Sequence, residues 1–485
     1  MAACGRNFTV VVTEPGDVFA WGADVFGQLG LNTGKDQLLP ERVAGREVFG
    51  ARMVMVAAGV CHSAGVTADG TLLTWGRGTD GQLGHGDLED RLRPERIGRE
   101  LFGGRPVLML ACGMEHTMVL TVGGLWTCGK GKHGKLGHGD IANRLVLTQV
   151  AAEHFEGNAQ IVMVAAGGSH SVAMGTEGGV WTWGFGLYLG HNDRQPRHVP
   201  TLMPGAVFAG SKVVMVAAGG SHTVAVTSKG VLWAWGYNEN GQLGIGGLEQ
   251  VQSVPALVGA KDEFGGSPVR MVACGHDHTL IVTEEGTLWT CDKGETGALG
   301  HNDINNQWVP TLVEAHHFGN TKVVSAAGGK FHSAAVTELG GLYTWGQGQN
   351  AEEALPVGLG HDDMLAKLVP TCVARHLLQG ARVGRYHSLP PLHALAFAMG
   401  THARLGSAAP TALPAGGSSK RLRRLQGEAP SAAADTSTDG AYVTMPGELV
   451  QRVVETCASW PEGQAGGMEG VVRLLGGMMK DKVSH

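Results

Sequence analysis

Histidine is the residue with the most chemical reach in this chain, 22 copies in 485 residues, each able to ligate a metal or shuttle a proton. Seven stand in one recurrent setting, Gly-x-x-His: His62, His116, His170, His222, His278, His332 and His387. No HExxH or paired CxxC spacing accompanies them, and equivalent positions of a repeat cannot converge on one ion. They read as structural histidines, and no metal site is expected. Gly76-Arg-Gly-Thr-Asp-Gly81 and Gly129-Lys-Gly-Lys-His-Gly134 fit the dinucleotide fingerprint, and Gly129 to Lys135 approaches a phosphate-binding loop. Each continues as Gln-Leu-Gly-His or Lys-Leu-Gly-His, so the helix N-terminus that would hold a pyrophosphate is missing, and Leu136 stands where a magnesium-binding hydroxyl is needed. Asp87, Asp140, Asp193, Asp303 and Asp363 recur in loops, where a short carboxylate accepts backbone N–H groups. No Gly-x-Ser-x-Gly elbow is present. The sequence predicts neither catalytic residues nor a cofactor.

The same residues define the elements that position them. The first glycine of the motif falls at Gly5, Gly59, Gly113, Gly167, Gly219, Gly275, Gly329 and Gly384, in steps of 52 to 56 residues. A second anchor follows each: Trp21-Gly22, Trp75-Gly76, Cys128-Gly129, Trp183-Gly184, Trp235-Gly236, Cys291-Asp292 and Trp345-Gly346, with Met399-Gly400 as a degenerate copy. A fixed period of this size marks units that cannot bury their apolar faces alone. One copy reads as four short β runs, Val213 to Ala218, Thr223 to Thr227, Val231 to Trp235 and Val254 to Val258, bounded by Gly, Asn, Ser or Pro. Four antiparallel strands repeated seven times predict an all-β, seven-bladed β-propeller over residues 1–406.

Composition narrows the function classes. A formal net charge of -6 lacks the basic surplus of a nucleic-acid protein. No run of eighteen apolar residues and no leader-like start is present, so neither a membrane nor secretion is expected, and the reading is intracellular, cytoplasmic or nuclear. Cys4, Cys112 and Cys274 share a slot filled elsewhere by Ala58, Ala166, Ala218 or Ala327, which wants a small buried side chain rather than a disulfide.

Ala-x-Gly-x-x-His followed by Ser or Thr, an aromatic-Thr-Trp-Gly strand, Gly-Gln-Leu-Gly-His-Gly-Asp and a later Pro-x-x-Val together resemble the regulator of chromosome condensation repeat family. That family includes exchange factors for a Ran-type GTPase, a plant ultraviolet-B photoreceptor and propellers within giant HECT-type ubiquitin ligases. The resemblance implies that the two residues inside each Gly-x-x-His line one face and meet a partner. Here they read Val60-Cys61, Met114-Glu115, Gly168-Ser169, Gly220-Ser221, His276-Asp277, Lys330-Phe331 and Arg385-Tyr386. The partner-face candidates are therefore Glu115, His276, Asp277, Lys330, Phe331, Arg385 and Tyr386. Trp-Arg pairs of the photoreceptor kind are missing from these slots, as are a basic leading tail and a wedge-like insertion of the exchange-factor kind. The reading is a non-enzymatic protein-interaction scaffold whose partner is another protein, a small GTPase among the candidates. The alternatives are exchange on a Ran-like GTPase and a propeller piece of a HECT-type ligase.

Residues 407–440 are rich in Ser, Ala, Pro and Gly and read as a linker holding a basic patch, Lys420, Arg421, Arg423 and Arg424. Residues 441–485 are expected to form a short amphipathic helical tail, with Leu449, Val450, Val453, Val454, Cys457 and Trp460 on one helical face. Because Met1-Ala-Ala3 is shorter than the opening strand of other copies, residues 381 to 387 are expected to supply that strand beside Phe8 to Thr13.

Overall fold

The computed structural model describes residues 1–155, 159–247, 249–259, 264–350 and 354–384. They form seven four-stranded antiparallel sheets, each in simple up-and-down order. The fifth blade, at Val213–Ala218, His222–Thr227, Leu232–Tyr237 and Val251–Val258, matches the sequence reading with a longer outer strand. The Ala-rich first strands, such as Met53–Ala58 and Ile161–Ala166, pack one against the next around the centre, and the seventh blade returns to the first. Small side chains are required there because strand backbones crowd toward the axis. The aromatic third strands lie farther out, where Trp21, Trp75, Trp183, Trp235 and Trp345 are fully buried between blades. The proposed linker, the helical tail and the basic patch lie outside the described residues.

Closure differs from the expectation in one respect. Ala2–Cys4 itself pairs with Thr9 to Val11 as the first strand of blade 1, so the chain start supplies most of what residues 381 to 387 were expected to supply. The later segment adds the missing beginning of that strand. Val383 bridges Thr13, Gly384 N–H donates to Val12 O (3.0 Å), and Glu14 N–H donates to Arg382 O (2.9 Å). The Met1 nitrogen donates to both Val12 O and Gly384 O, joining the two pieces end to end. Val383 N–H also reaches Gly340 O (3.3 Å), as Val107, Val269 and Val323 reach the turn glycines Gly70, Gly230 and Gly286 of the preceding blades. Thus Val383 occupies the opening slot of a blade, and the first strand is shared between segments far apart in sequence. Sequence register alone could not divide it, because Met1 and Val383 fall in different positions of the same slot.

Val383 is fully buried with Val11, Phe19, Trp21, Ala334 and Val336 at the seam of blades 7 and 1. Replacing it by aspartate places an unpaired carboxylate in that seam, an expected loss of about 3 kcal/mol or more. Thermal melting followed by circular dichroism would show this, and an unchanged midpoint would refute the shared-strand closure.

Candidate partner-binding face

Among the described residues each Gly-x-x-His segment is a tight turn from first to second strand, closed by the glycine N–H donating to the histidine carbonyl, as in Gly59 to His62 (2.8 Å) and Gly275 to His278 (2.8 Å). A Cβ at Gly59 would lie 2.3 Å from the His62 ring, so the turn admits no side chain there. The turns join one another: Arg6 N–H reaches Val60 O, Met114 reaches Gly167 O, Gly168 reaches Gly219 O and Gly220 O, Gly220 reaches His276 O, His276 reaches Gly329 O and Lys330 reaches Gly5 O. A nearly continuous backbone ring results, which presents the two intervening residues at the mouth of the channel.

The repeated histidines lock the blades beneath this ring. His62, His116, His170, His222, His278 and His332 are buried, and each Nε2 meets a hydroxyl of the next blade: Thr117, Ser171, Thr223, Thr279, Ser333 and Thr9, at 2.8 to 3.0 Å. Most of those hydroxyls spend their proton on a carbonyl of the Gly-Gln-Leu-Gly segment of the blade before, as Thr117 does on Gln82 O (2.7 Å) and Ser171 on Lys135 O (2.7 Å). The imidazole must therefore donate from Nε2, and burial, with Nδ1 unpartnered in His62, His116, His170, His222 and His332, keeps that nitrogen unprotonated and the ring neutral. Burial pushes His62 and His278 down to about 4 and His170, His222 and His332 down to about 3. Blade 1 has Phe8 in the histidine slot. His387 lies outside the described residues.

Indoles use the same carbonyls: Trp21 donates to Gly358 O, Trp75 to Gln28 O, Trp183 to Lys135 O and Trp345 to Ala298 O, at 2.8 to 2.9 Å. The seam between blades 4 and 5 is different. There the segment from Trp183 to Gly190 is two residues short, Thr223 Oγ1 reaches Tyr188 O only at 3.4 Å, and Trp235 Nε1 is buried without a partner. The loop aspartates take the expected role. Asp87, Asp140, Asp193, Asp303 and Asp363 each accept the backbone N–H two residues on, and all but Asp303 also pair with the Arg or Lys four residues on, at 2.6 to 2.8 Å. The nucleotide-like Gly129 to Gly134 run ends in a three-residue 3-10 turn, Lys132–Gly134, not a helix.

The mouth candidates divide by partner. Glu115 lies 2.8 Å from Lys130 Nζ and 3.6 Å from Lys135 Nζ, while Lys130 also approaches Asp80 (3.7 Å). Burial opposes ionisation of Glu115, but the two ammonium groups outweigh it and hold the carboxyl below its ordinary value. Asp277 is half-buried beside His276, Nδ1 to Oδ2 2.8 Å, and it too stays ionised below the usual aspartate range because that imidazole and its neighbours outweigh burial. Lys330 Nζ sits 4.6 Å above the Phe331 ring. Arg385 and Tyr386 lie outside the described residues. The structure thus gathers Glu115 with charges of blades 2 and 3 and sets Asp277 apart on blade 6.

Two features escaped the sequence reading. Lys135 and Tyr188 replace the glutamine of the Gly-Gln-Leu-Gly segment; Lys135 is 2 % exposed and donates to Gly168 O (3.2 Å), and Tyr188 packs on His170 and Phe185, the latter also against His133. An aromatic patch beside the mouth at blades 3 and 4 results. The departures from glutamine at these two positions were the available signal.

Residues 1–258 match the RCC1-like domain, and residues 285–336 match the regulator of chromosome condensation (RCC1) repeat. The chain belongs to the RCC1 family. It is 34% identical over 339 residues to the ultraviolet-B receptor UVR8 of Arabidopsis thaliana, covering 67% of this chain and 74% of the receptor. It is 38% identical over 285 residues to the E3 ubiquitin-protein ligase HERC2 of Mus musculus, 57% of this chain but only 6% of the ligase. The solved structure of Prp20p from Saccharomyces cerevisiae, a protein characterised for binding Gsp1p and histones, superposes with a TM-score of 0.63 at 24% identity over 75% of this chain and 87% of that one. An RCC1-type propeller supports a protein-interaction role. Among the described residues no helix is long and apolar enough to cross a membrane.

Proposed function

We propose that this RCC1-family propeller is a non-catalytic interaction module that binds another protein through its mouth face. The supporting observation is the backbone ring of Gly-x-x-His turns: the scaffold is repeated and hydrogen-bonded, while its tips vary around the ring, from Met114-Glu115 through the Gly-Ser pairs of blades 4 and 5 to His276-Asp277 and Lys330-Phe331. A rigid frame with varied tips is pre-ordered for recognition, which lowers the entropic cost of association. The half-exposed Asp277 and the Lys330–Phe331 pair offer charged and aromatic contact groups of the kind that anchor interfaces.

Cross-linking from a photoreactive residue at position 169 or 331, followed by mass spectrometry, should capture a protein partner. Asp277→Arg combined with Lys330→Glu should weaken that capture roughly tenfold or more, with thermal melting unchanged. Retained capture would move the site away from the mouth. The second reading, exchange on a Ran-like GTPase, draws on the acidic residues before His116 and His278 and on the likeness to Prp20p. Release of a fluorescent nucleotide from a panel of small GTPases tests it. No acceleration is expected, and acceleration lost in Glu115→Ala or Asp277→Ala would establish exchange instead.

A further inference from the structure

On the face opposite the mouth, short turns connect successive blades, and several of them are pinned by a phenylalanine ring, whereas the turn after blade 7 buries Leu378 instead. Phe102 packs edge to face on Trp126 (5.4 Å), Phe155 on Trp181 (5.8 Å) and Phe318 on Tyr343 (5.3 Å). Four such turns read Gly45-Arg-Glu-Val-Phe49, Gly98-Arg-Glu-Leu-Phe102, Ala151-Ala-Glu-His-Phe155 and Pro204-Gly-Ala-Val-Phe208. The turn between blades 6 and 7 reads Glu314-Ala-His-His-Phe318 and, unlike those four, brings two imidazoles and a carboxylate together. His316 Nδ1 lies 2.9 Å from Glu314 Oε2, the two imidazole rings are 4.0 Å apart, and one ligand atom from each of Glu314, His316 and His317 lies within 4.8 Å of the other two.

We propose that Glu314, His316 and His317 form a binding site for a divalent d-block ion, zinc foremost. The donor set, two imidazole nitrogens and one carboxylate oxygen, suits zinc and disfavours calcium or magnesium, which take oxygen ligands. Bonds of about 2.0–2.1 Å in a tetrahedral site place ligand atoms roughly 3.3 Å apart, so the ion needs only side-chain rotation to close the set. The backbone need not move, because Phe318 is buried against Tyr343 and Trp345. Glu314 and His316 are exposed, which leaves the remaining coordination positions to water and the ion in exchange with solvent. Spacings of the HExxH or CxxC kind do not include Glu-x-His-His, which is why sequence inspection passes over it.

Calorimetric titration of zinc chloride into the full chain tests the site, in a Cys61→Ser, Cys372→Ser background so that the more accessible thiols do not compete. One equivalent is expected to bind in the micromolar range. His316→Gln and His317→Gln should each weaken it roughly tenfold or more, the double variant should lose it, and calcium chloride should give no heat at the same concentrations. Cobalt(II) supplies an independent readout: d–d absorption in the visible with the parent, absent with the double variant. Metal-free melting should be the same for parent and variants, since the substituted side chains are peripheral. Absence of zinc binding below the millimolar range, or equal binding by the double variant, would overturn the proposal.

Discussion

Asp292→Gly is expected to raise the melting temperature by several degrees at pH 7. Asp292 stands where six blades have glycine, and its φ of +137° lies in the same region as Gly22 at 111°, Gly76 at 99° and Gly346 at 125°. A Cβ at Gly76 would lie 2.6 Å from Cys61 O, which shows how little room the slot gives a side chain. A non-glycine residue held there costs about 1–3 kcal/mol. The side chain is also 1% exposed, and its Oδ1 is buried without a hydrogen-bond partner, which adds about 1–3 kcal/mol. Glycine removes both terms and returns about 1 kcal/mol of chain entropy to the unfolded state, leaving a net gain of roughly 1–5 kcal/mol.

The gain has a pH signature. Burial, reinforced by Asp277, pushes the Asp292 carboxyl well above the usual aspartate range against the pull of the Lys293 backbone N–H and ammonium. A raised carboxyl binds its proton more tightly in the folded state, so the penalty is absent below the unfolded aspartate value and grows as pH rises toward the folded one. The difference in melting temperature between Asp292→Gly and the parent should accordingly widen from pH 4 to pH 7 in calorimetry. A variant that melts lower than the parent at neutral pH would show that Asp292 supports the fold.

Acid should unfold the propeller steeply between pH 6.5 and about 4, with uptake of several protons. The buried latch histidines have folded pKa values far below 6.5, set by burial and, for five of them, by an Nδ1 with no partner to receive a proton's N–H. Burial takes His116 well below the ordinary value too, with Lys135 opposing its charge. For a base whose folded pKa is depressed, stability is fully present above the unfolded value and is lost as pH falls toward the folded one. Each proton taken up on unfolding contributes roughly 1.4 kcal/mol per pH unit, so six latches together act on the scale of total domain stability. Asp24, which burial raises to about 6, and Asp292 act in the opposite direction and offset part of this slope. Denaturant titrations at pH 7.5, 6 and 5 give the proton count directly, and His332→Phe, imitating Phe8 of blade 1, should lower it by about one. A free energy of unfolding that stays flat from pH 7.5 to 5 would refute the neutral-latch account.

The sequence by itself determined the blade count, the four-strand pattern of the repeat, the recurrent slot that the histidines occupy in it and the capping role of the loop aspartates. These follow from local pattern. A Gly-x-x-His turn closes on itself, and a loop aspartate meets an amide two residues away, so composition and spacing within one repeat suffice. What depends on the neighbouring blade was decided only in three dimensions, because partners across a seam are about one repeat apart in sequence and their pairing is set by ring geometry. The histidine's hydroxyl partner, the carbonyl shared with an indole, the unpartnered Trp235 beside a shortened loop and the capture of Glu115 by Lys130 and Lys135 belong to this class. Ring closure belongs to it as well. Two segments compete for one strand slot, and the requirement that every opening position receive both a strand partner and a turn carbonyl assigns Val383 to one end and Ala2–Cys4 to the other.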